Sequence, residues 1–315
     1  MQEMKKRVLV LGYSQTGQLT RIVNSIIAPL KDASDIDVVY KSIEPVIAFP
    51  FPWPFLSFFN NFPETVYEEN IELKPLAISD EKFDLIILSY QVWFLSPSRP
   101  ISTFLNSEEA KHIFKDTPVI TVIGCRNMWI TAQEIVKEKL KNLSATLIDN
   151  IVLTDEAHSA ATFIATPLWV LTGNKGPWLD GLIPRAGVSE RDIVDSRRFG
   201  VAIKEELEKT SSKITEPTLK GLGAVEVNER LIASEKIARR SFEIWGKLLR
   251  SLGNQQSVIR KFVLVFYILF LITMILTVVP ISAILKRLFS PLLKKRTAEQ
   301  KAYFAAPSGE ETHRI

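Results

Sequence analysis

The sequence predicts an α/β fold, a doubly wound five-stranded parallel sheet in the order 2-1-3-4-5, followed by a C-terminal helical extension. Three observations carry this. Short β-rich apolar runs recur at 7–13, 36–40, 83–90, 118–124 and 145–154, and they lack the apolar/polar alternation of a half-exposed strand. Such runs suit strands buried on both faces of a parallel sheet. Between them lie helical patterns at 16–30, around 101–114 and at 131–143, the first with Leu19, Ile22, Val23, Ile26 and Ile27 on one face. Strands alternating with helices are the signature of parallel β-α-β winding.

Composition supports a packed chain and excludes several chemistries. With 315 residues, 46% of them hydrophobic, a sizeable core can be buried. A single cysteine, Cys125, allows no internal disulfide. His112, His158 and His313 have no spacing that brings two ring nitrogens to one metal, so no metal site is expected. The N-terminal residues run into the first strand without an apolar targeting stretch, so the domain is expected in the cytosol. No nucleic-acid partner is expected.

Five regions are expected along the chain. Residues 1–185 form the α/β domain, with an aromatic and proline-rich insertion at 43–76 whose centre reads VIAFPFPWPFLSFFNNFP. Residues 186–260 form a helical extension that ends in a basic amphipathic helix, where Leu231, Ala238, Phe242, Trp245, Leu249 and Leu252 recur at intervals of three, four or seven. This helix can lie on an anionic bilayer, pack on the domain or pair with another helix. Residues 261–287 are expected to be a transmembrane helix, because 262–285 contain no charge and would span about 36 Å as a helix, against roughly 30 Å of hydrocarbon. Residues 288–315 read as a basic, disordered tail.

In this strand order the ligand crevice opens at the carboxyl ends of the strands, where the first and third diverge. The loops at 13–20, 89–100 and 124–129 are therefore selected. The first contains Ser14, Gln15, Thr16, Gly17, Gln18, Leu19 and Thr20. Unpaired N–H groups and the partial positive charge at a helix start suit a phosphate dianion, to which Ser14, Thr16 and Thr20 can add hydroxyl donors. The loop has no lysine, unlike a triphosphate loop, and no G-x-G-x-x-G, unlike a dinucleotide fingerprint. A single terminal phosphate fits it better. The second loop supplies Tyr90, Gln91, Val92, Trp93 and Phe94, and the third Gly124, Arg126, Asn127, Met128 and Trp129, aromatic faces and polar groups for a flat ring.

The strand, the S-x-T-G-x-x-T loop, the aromatic loop and the Gly-led loop together resemble the flavodoxin-like FMN-binding superfamily. That resemblance implies non-covalent FMN, its phosphate at Ser14–Thr20 and its ring at the two later loops. The stretches YSQTGQLTRIV, FPFPWPF, SYQVWFLSPS, IGCRNMW and TFIATPLWVLTG resemble more specifically the bacterial dialkylresorcinol condensing enzymes, over roughly residues 5 to 185. The activity this implies is aromatisation of a 2,5-dialkylcyclohexane-1,3-dione made by a separate ketosynthase. Carbon–carbon condensation itself is not expected, since Cys125 has no histidine motif near it.

Aromatisation removes two electrons and two protons, and oxidised FMN accepts two electrons. Tyr90, Arg126 and His158 are the candidates for proton handling or enolate stabilisation. Each has a plainer role open to it: ring stacking for Tyr90, a flavin or phosphate contact for Arg126, a solvated loop for His158. Phe49, Phe51, Trp53, Phe55, Phe58 and Phe59 can wall an apolar entrance for a hydrophobic substrate, cover the sheet edge, or dip into a membrane. Two other functions compete with this one: an NAD(P)H-dependent FMN quinone reductase, and a non-enzymatic electron carrier or membrane-tethered assembly factor. The expected partners are a hydrophobic small molecule, membrane lipid, a ketosynthase and a second copy of the chain. The expected location is the bacterial inner membrane, with the FMN domain on the cytoplasmic side. Four Lys/Arg lie within about 20 residues before the uncharged run and six after it. Either residues 286–315 cross, or Pro280 helps the segment bend and re-enter.

Overall fold

The computed structural model describes residues 5–78, 82–155 and 159–309. Strands β1 (Lys6–Gly12), β2 (Ile36–Ser42), β3 (Leu85–Trp93), β5 (Pro118–Cys125) and β6 (Thr146–Thr154) form a parallel sheet in the order β2-β1-β3-β5-β6. β4 (Ser96–Pro97), two residues long, pairs antiparallel with the end of β3. The five-strand order expected from the sequence is present, with β4 as an addition. The part of 89–100 expected as a loop instead extends β3 to Trp93, turns at Phe94 and Leu95, and returns as β4. Both turn residues have positive φ, 49° and 61°, a geometry that favours glycine or asparagine. Packing of Phe94 against Phe58 and Phe62 holds it.

A parallel sheet needs cover on both faces, and the helices divide accordingly. Along β1, Val8 and Val10 face one way and Leu9 and Leu11 the other. The first face is covered by α1 (Gln18–Lys31) and, from the extension, by α8 (Glu190–Asp195) and α9 (Arg197–Lys209). α9 crosses α1 so closely that a Cβ at Gly200 would lie 1.7 Å from the Ile26 carbonyl oxygen. The other face is covered by α4 (Arg99–Leu105), α5 (Glu108–Phe114) and α6 (Ile130–Asn142), through Ile101, Phe104, Phe114 and Val136. Each buried Leu, Ile or Phe contributes roughly 1.5–3 kcal/mol.

The insertion and the extension build a third, aromatic layer. Prolines at 50, 52 and 54 keep that stretch out of a helix, and α2 (Phe55–Asn60) starts directly after Pro54, followed by α3 (Phe62–Val66). α10 (Glu229–Ser251) and α11 (Val258–Ala305) pack on them through Leu249, Leu264, Tyr267 and Ile268. Within this layer Arg260 is fully buried. Its guanidinium donates to both carboxylate oxygens of Glu64, at 2.6 and 2.9 Å, and to the side-chain and main-chain oxygens of Asn60. α7 (Ser159–Thr172) lies on the opposite flank of the insertion, where the Val170 carbonyl accepts from Trp53 N–H and Trp169 packs on Phe51.

The C-terminal region differs from expectation. In place of a disordered tail after 287, the chain is helical to Ala305, and Phe304 and Ser308 are buried against the domain. Ser308 Oγ accepts from the Asn150 N–H of β6 and donates to Asp149. The cause is an apolar ring and a hydroxyl placed to complete a buried polar edge of the sheet, a pattern too short to register in composition.

Removing one partner of the Arg260–Glu64 pair leaves a buried unpaired charge, which costs about 3–5 kcal/mol. Arg260→Met is expected to lower the free energy of urea unfolding in mild detergent by that amount, and Arg260→Met with Glu64→Met to recover most of it. Equal losses in the single and double variants would show that the pair does not anchor the layer.

Candidate functional site

The carboxyl ends of β1, β3 and β5 place three stretches side by side. The first joins β1 to α1. Gly17 is the cap of α1 with φ +77°, and the space where its Cβ would project is open. A left-handed residue at a helix start turns successive N–H groups toward one point, the geometry of an anion nest. No side chain caps α1 and no acidic residue lies in its first turn, so its positive end is not neutralised locally. Ser14, Thr16 and Thr20 are half-buried around it. Ser14 Oγ lies 3.4 Å from Thr20 N and Thr16 Oγ1 3.5 Å from Gln18 N, weak contacts that a bound anion would replace. These residues fit a terminal phosphate.

The other loop residues sort into rim and core. Gln15 is a strut: its N–H donates to Gln91 Oε1 at 3.3 Å and its Nε2 to the Pro50 carbonyl at 2.8 Å. It therefore ties the first loop to the β3 end and to the insertion. Gln18 and Leu19 turn inward, Gln18 to the Val188 carbonyl and Leu19 into the core, so their side chains are unavailable to a ligand. Trp93 is half-buried at the rim with Val92 beside it. Its ring meets Tyr13, Phe49 and Trp53 edge-on, with centroids 5.8, 5.0 and 5.9 Å apart. These four rings form an aromatic box beside the anion nest.

Three more expected site residues turn away from the rim. Tyr90 is fully buried and its hydroxyl donates to Gln133, which donates onward to Thr121 at 3.1 Å, and Thr121 to Asn150 at 2.9 Å. Burial pushes its phenol well above the usual range. It is a core strut and not a proton donor at the rim, because strand alternation turns it toward α6. Phe94, at the hairpin tip, turns toward Phe58, Phe62 and Phe242 in the third layer. Trp129 is buried in the core ahead of α6, its carbonyl accepting from Gln133 N–H. His158 lies outside the described residues.

The third loop keeps Gly124, Arg126, Asn127 and Met128 half-buried at the rim. Gly124 lies close over Leu19 and Ile22, whose side chains would be 3.3 Å from a Cβ there. Burial lowers the Arg126 guanidinium to about 10, with Asp155 opposing the shift. It stays cationic at neutral pH. Asp155 is pushed up by burial and held back by hydrogen bonds from Thr166 and Gly187 and by Arg126. Cys125, next in chain, has its thiol raised well above the ordinary range by burial, which makes it a poor nucleophile.

Of the buried carboxyls that the sequence does not announce, one lies beside the third loop. Glu235 of α10 caps α6 from outside, accepting the Thr131 N–H at 2.6 Å, while its second oxygen has no hydrogen-bond partner. It lines a cleft of about 350 Å³ with Ile130, Lys236, Arg239 and Phe304. Burial raises its carboxyl to about 7, against the hydrogen bonds from Thr131 and Ile130. A signal for it existed. The apolar stripe of α10 steps seven positions from Leu231 to Ala238, and Glu235 occupies the intermediate place on that face. A charge on an apolar stripe marks a buried polar contact.

No protein-family model matches the chain, and no curated protein does. Among solved structures it is similar to a flavoprotein in complex with FMN from Lactobacillus acidophilus, at 19% identity and TM-score 0.39, over 47% of this chain and 93% of that one. It is also similar to Flavodoxin 1 from Bacillus cereus, at 13% identity and TM-score 0.34, over 65% and 100%. A flavone reductase matches at 10% identity and TM-score 0.36, over 68% and 67%. Likeness at this level assigns no activity, and the fold rests on the strand order itself.

The raised Glu235 carboxyl has a pH consequence. A carboxyl that binds its proton more tightly when folded stabilises the fold below its unfolded value, and that stabilisation is lost as pH rises through about 7. The loss amounts to about 3 kcal/mol at most. Glu235→Gln should remove this dependence, so the stability difference between variant and parent moves in the variant's favour between pH 5 and pH 8. Urea unfolding at the two pH values measures it, and a pH-independent difference would refute the assignment.

Proposed function

We propose that this chain is an FMN-dependent oxidoreductase acting on a hydrophobic small molecule, and that its reaction is aromatisation of a dialkylcyclohexanedione to a dialkylresorcinol. The observation that carries the reading is the adjacency of the anion nest at Gly17 to the box of Tyr13, Phe49, Trp53 and Trp93. A phosphate site next to apolar ring faces suits a ligand with a phosphate at one end and a flat ring at the other. FMN is such a molecule, and when bound it supplies two-electron acceptance.

The chain's own residues have distinct tasks in this reading. Ser14, Thr16, Gly17 and Thr20 bind the phosphate, and Gln15 and Gln91 hold the two loops in register. Phe49, Trp53 and Trp93 exclude water from the ring and offer apolar surface to the alkyl chains of the dione. Arg126 is the cation on the rim. A guanidinium that remains charged can stabilise the enolate left when a proton beside a carbonyl departs. Tyr90 has no part in this, since its hydroxyl is committed to Gln133.

A visible spectrum of the purified protein tests the cofactor, and a colourless preparation that fails to bind added FMN would refute it. Gly17→Glu puts a side chain on a positive-φ position and a negative charge into the nest, so FMN affinity should fall at least about tenfold, or roughly 1.4 kcal/mol. Anaerobic mixing tests the reaction. Bleaching of the flavin by a dialkylcyclohexanedione, with a resorcinol as product, is expected. Rapid bleaching by NADPH alone would point to a quinone reductase instead.

A further inference from the structure

α11 cannot be a straight rod. Its Tyr267 meets Trp245 of α10 with ring centroids 5.0 Å apart, and its Phe304 lies under Lys236 of α10, 5.5 Å from the ammonium to the ring centre. Trp245 and Lys236 are separated by about 14 Å of helix axis, whereas Tyr267 and Phe304 would be about 55 Å apart on a straight helix. The two ends also run in different senses. α11 sets off back along α10, with Tyr267 and Phe270 both reaching Trp245, and returns with Lys301 on Glu229 and Phe304 on Lys236, in the same direction as α10. The reversal falls between 270 and 301, a stretch that includes two helix-weakening prolines, Pro280 and Pro291.

The same helix carries a large unpartnered apolar face. Val258 is 81% exposed, Phe262 64%, Leu269 57% and Leu276 70%. Among the described residues, 258–277 is the one segment long and apolar enough to cross a membrane. Yet both ends of α11 are fastened to one domain. Arg260 is clamped by Glu64 at the start, and Tyr303 donates to Glu134 and Ser308 to Asp149 at the end. A crossing would carry the second set of contacts to the far side of the bilayer.

We propose that α11 is a re-entrant membrane anchor that lies in one leaflet and returns to the side it left. The partner is a lipid bilayer with anionic headgroups. Exposed Lys261 on the first arm and Lys295 and Arg296 on the second flank the apolar face, where they meet headgroup phosphates. With both flanks on one side, the four and six basic residues around the uncharged run cease to compete over orientation. Lys286 and Arg287 fall near the middle of the reversing stretch, and charges there are costly at the bilayer centre. The hairpin therefore lies at the headgroup depth of that leaflet. The proposal is independent of the cofactor.

The test is synthesis of the full chain in vitro beside sealed liposomes of phosphatidylcholine and phosphatidylglycerol, with a protease-cleavable tag after Ile315. The expected result is flotation with the liposomes in high salt, with the tag cleaved while the liposomes are intact. A tag protected until detergent is added would overturn the proposal in favour of crossing, and release by high salt alone would reduce it to surface adsorption. Failure to float, with a dimer in sedimentation, would give the apolar face to a second copy. Leu269→Lys with Leu276→Lys alters only exposed positions and should lower the floated fraction at least about tenfold without changing near-ultraviolet circular dichroism. Undiminished flotation of that variant would also overturn the proposal.

Discussion

The constraint on which the molecule depends is that its central sheet is parallel and buried on both faces. Alternate residues of every central strand must meet a helix, which uses α1, α8 and α9 on one side and α4, α5 and α6 on the other. Only the strand ends remain free. Ligand chemistry is therefore confined to the rim at the carboxyl ends, where β1 and β3 lead into different layers. The positive end of α1 arrives there as a by-product of the β-α-β winding, and Gly17 is what makes it usable.

The third layer solves a different problem. A proline-rich insertion has few main-chain hydrogen bonds of its own, so bonds from other segments must fix it. Trp53 N–H to Val170, Gln15 to Pro50 and Arg260 to Asn60 and Glu64 do this from three directions. The last is the most demanding, because a buried guanidinium is tolerated only where all its donors are met. Glu64 shows the balance: burial pushes its carboxyl up, and the bonds from Arg260 and Gln255 outweigh it and leave the group below the usual carboxylate range. The ion pair thus specifies where α11 begins more than it adds net stability.

The five main strands were legible because their periodicity is local and unbroken. The anion loop was legible because a helix start needs particular residue types at fixed spacing. Side-chain direction was not. Tyr90 and Trp93 are three residues apart on one strand, and the first enters the core while the second reaches the rim. Phe94 followed the hairpin turn into the third layer, and no sequence rule signals a left-handed pair without glycine. Glu235 was visible only as a gap in a stripe. Ser308 depends on Asp149 and Asn150, about 160 residues away, so no local pattern could announce its docking.

The position of the apolar helix bears on how a hydrophobic molecule would reach the rim. Ring contacts run without a break from Tyr13 beside the anion nest through Trp93, Trp53, Phe58, Phe94 and Phe62 to Tyr267 of α11, each centroid within 6 Å of the next. Exposed Phe55 and Leu56 of α2 extend the same flank outward. Trp53, Phe62 and Tyr267 are buried in this run, so it is a packed spine and not an open surface. In the proposed function, a substrate with long alkyl chains would forfeit about 0.8 kcal/mol for each methylene exposed to water on its way to the rim. The spine ties the aromatic box to the start of α11, where the Arg260–Glu64 pair is also seated. The insertion and the buried ion pair together keep the rim of the sheet beside that helix.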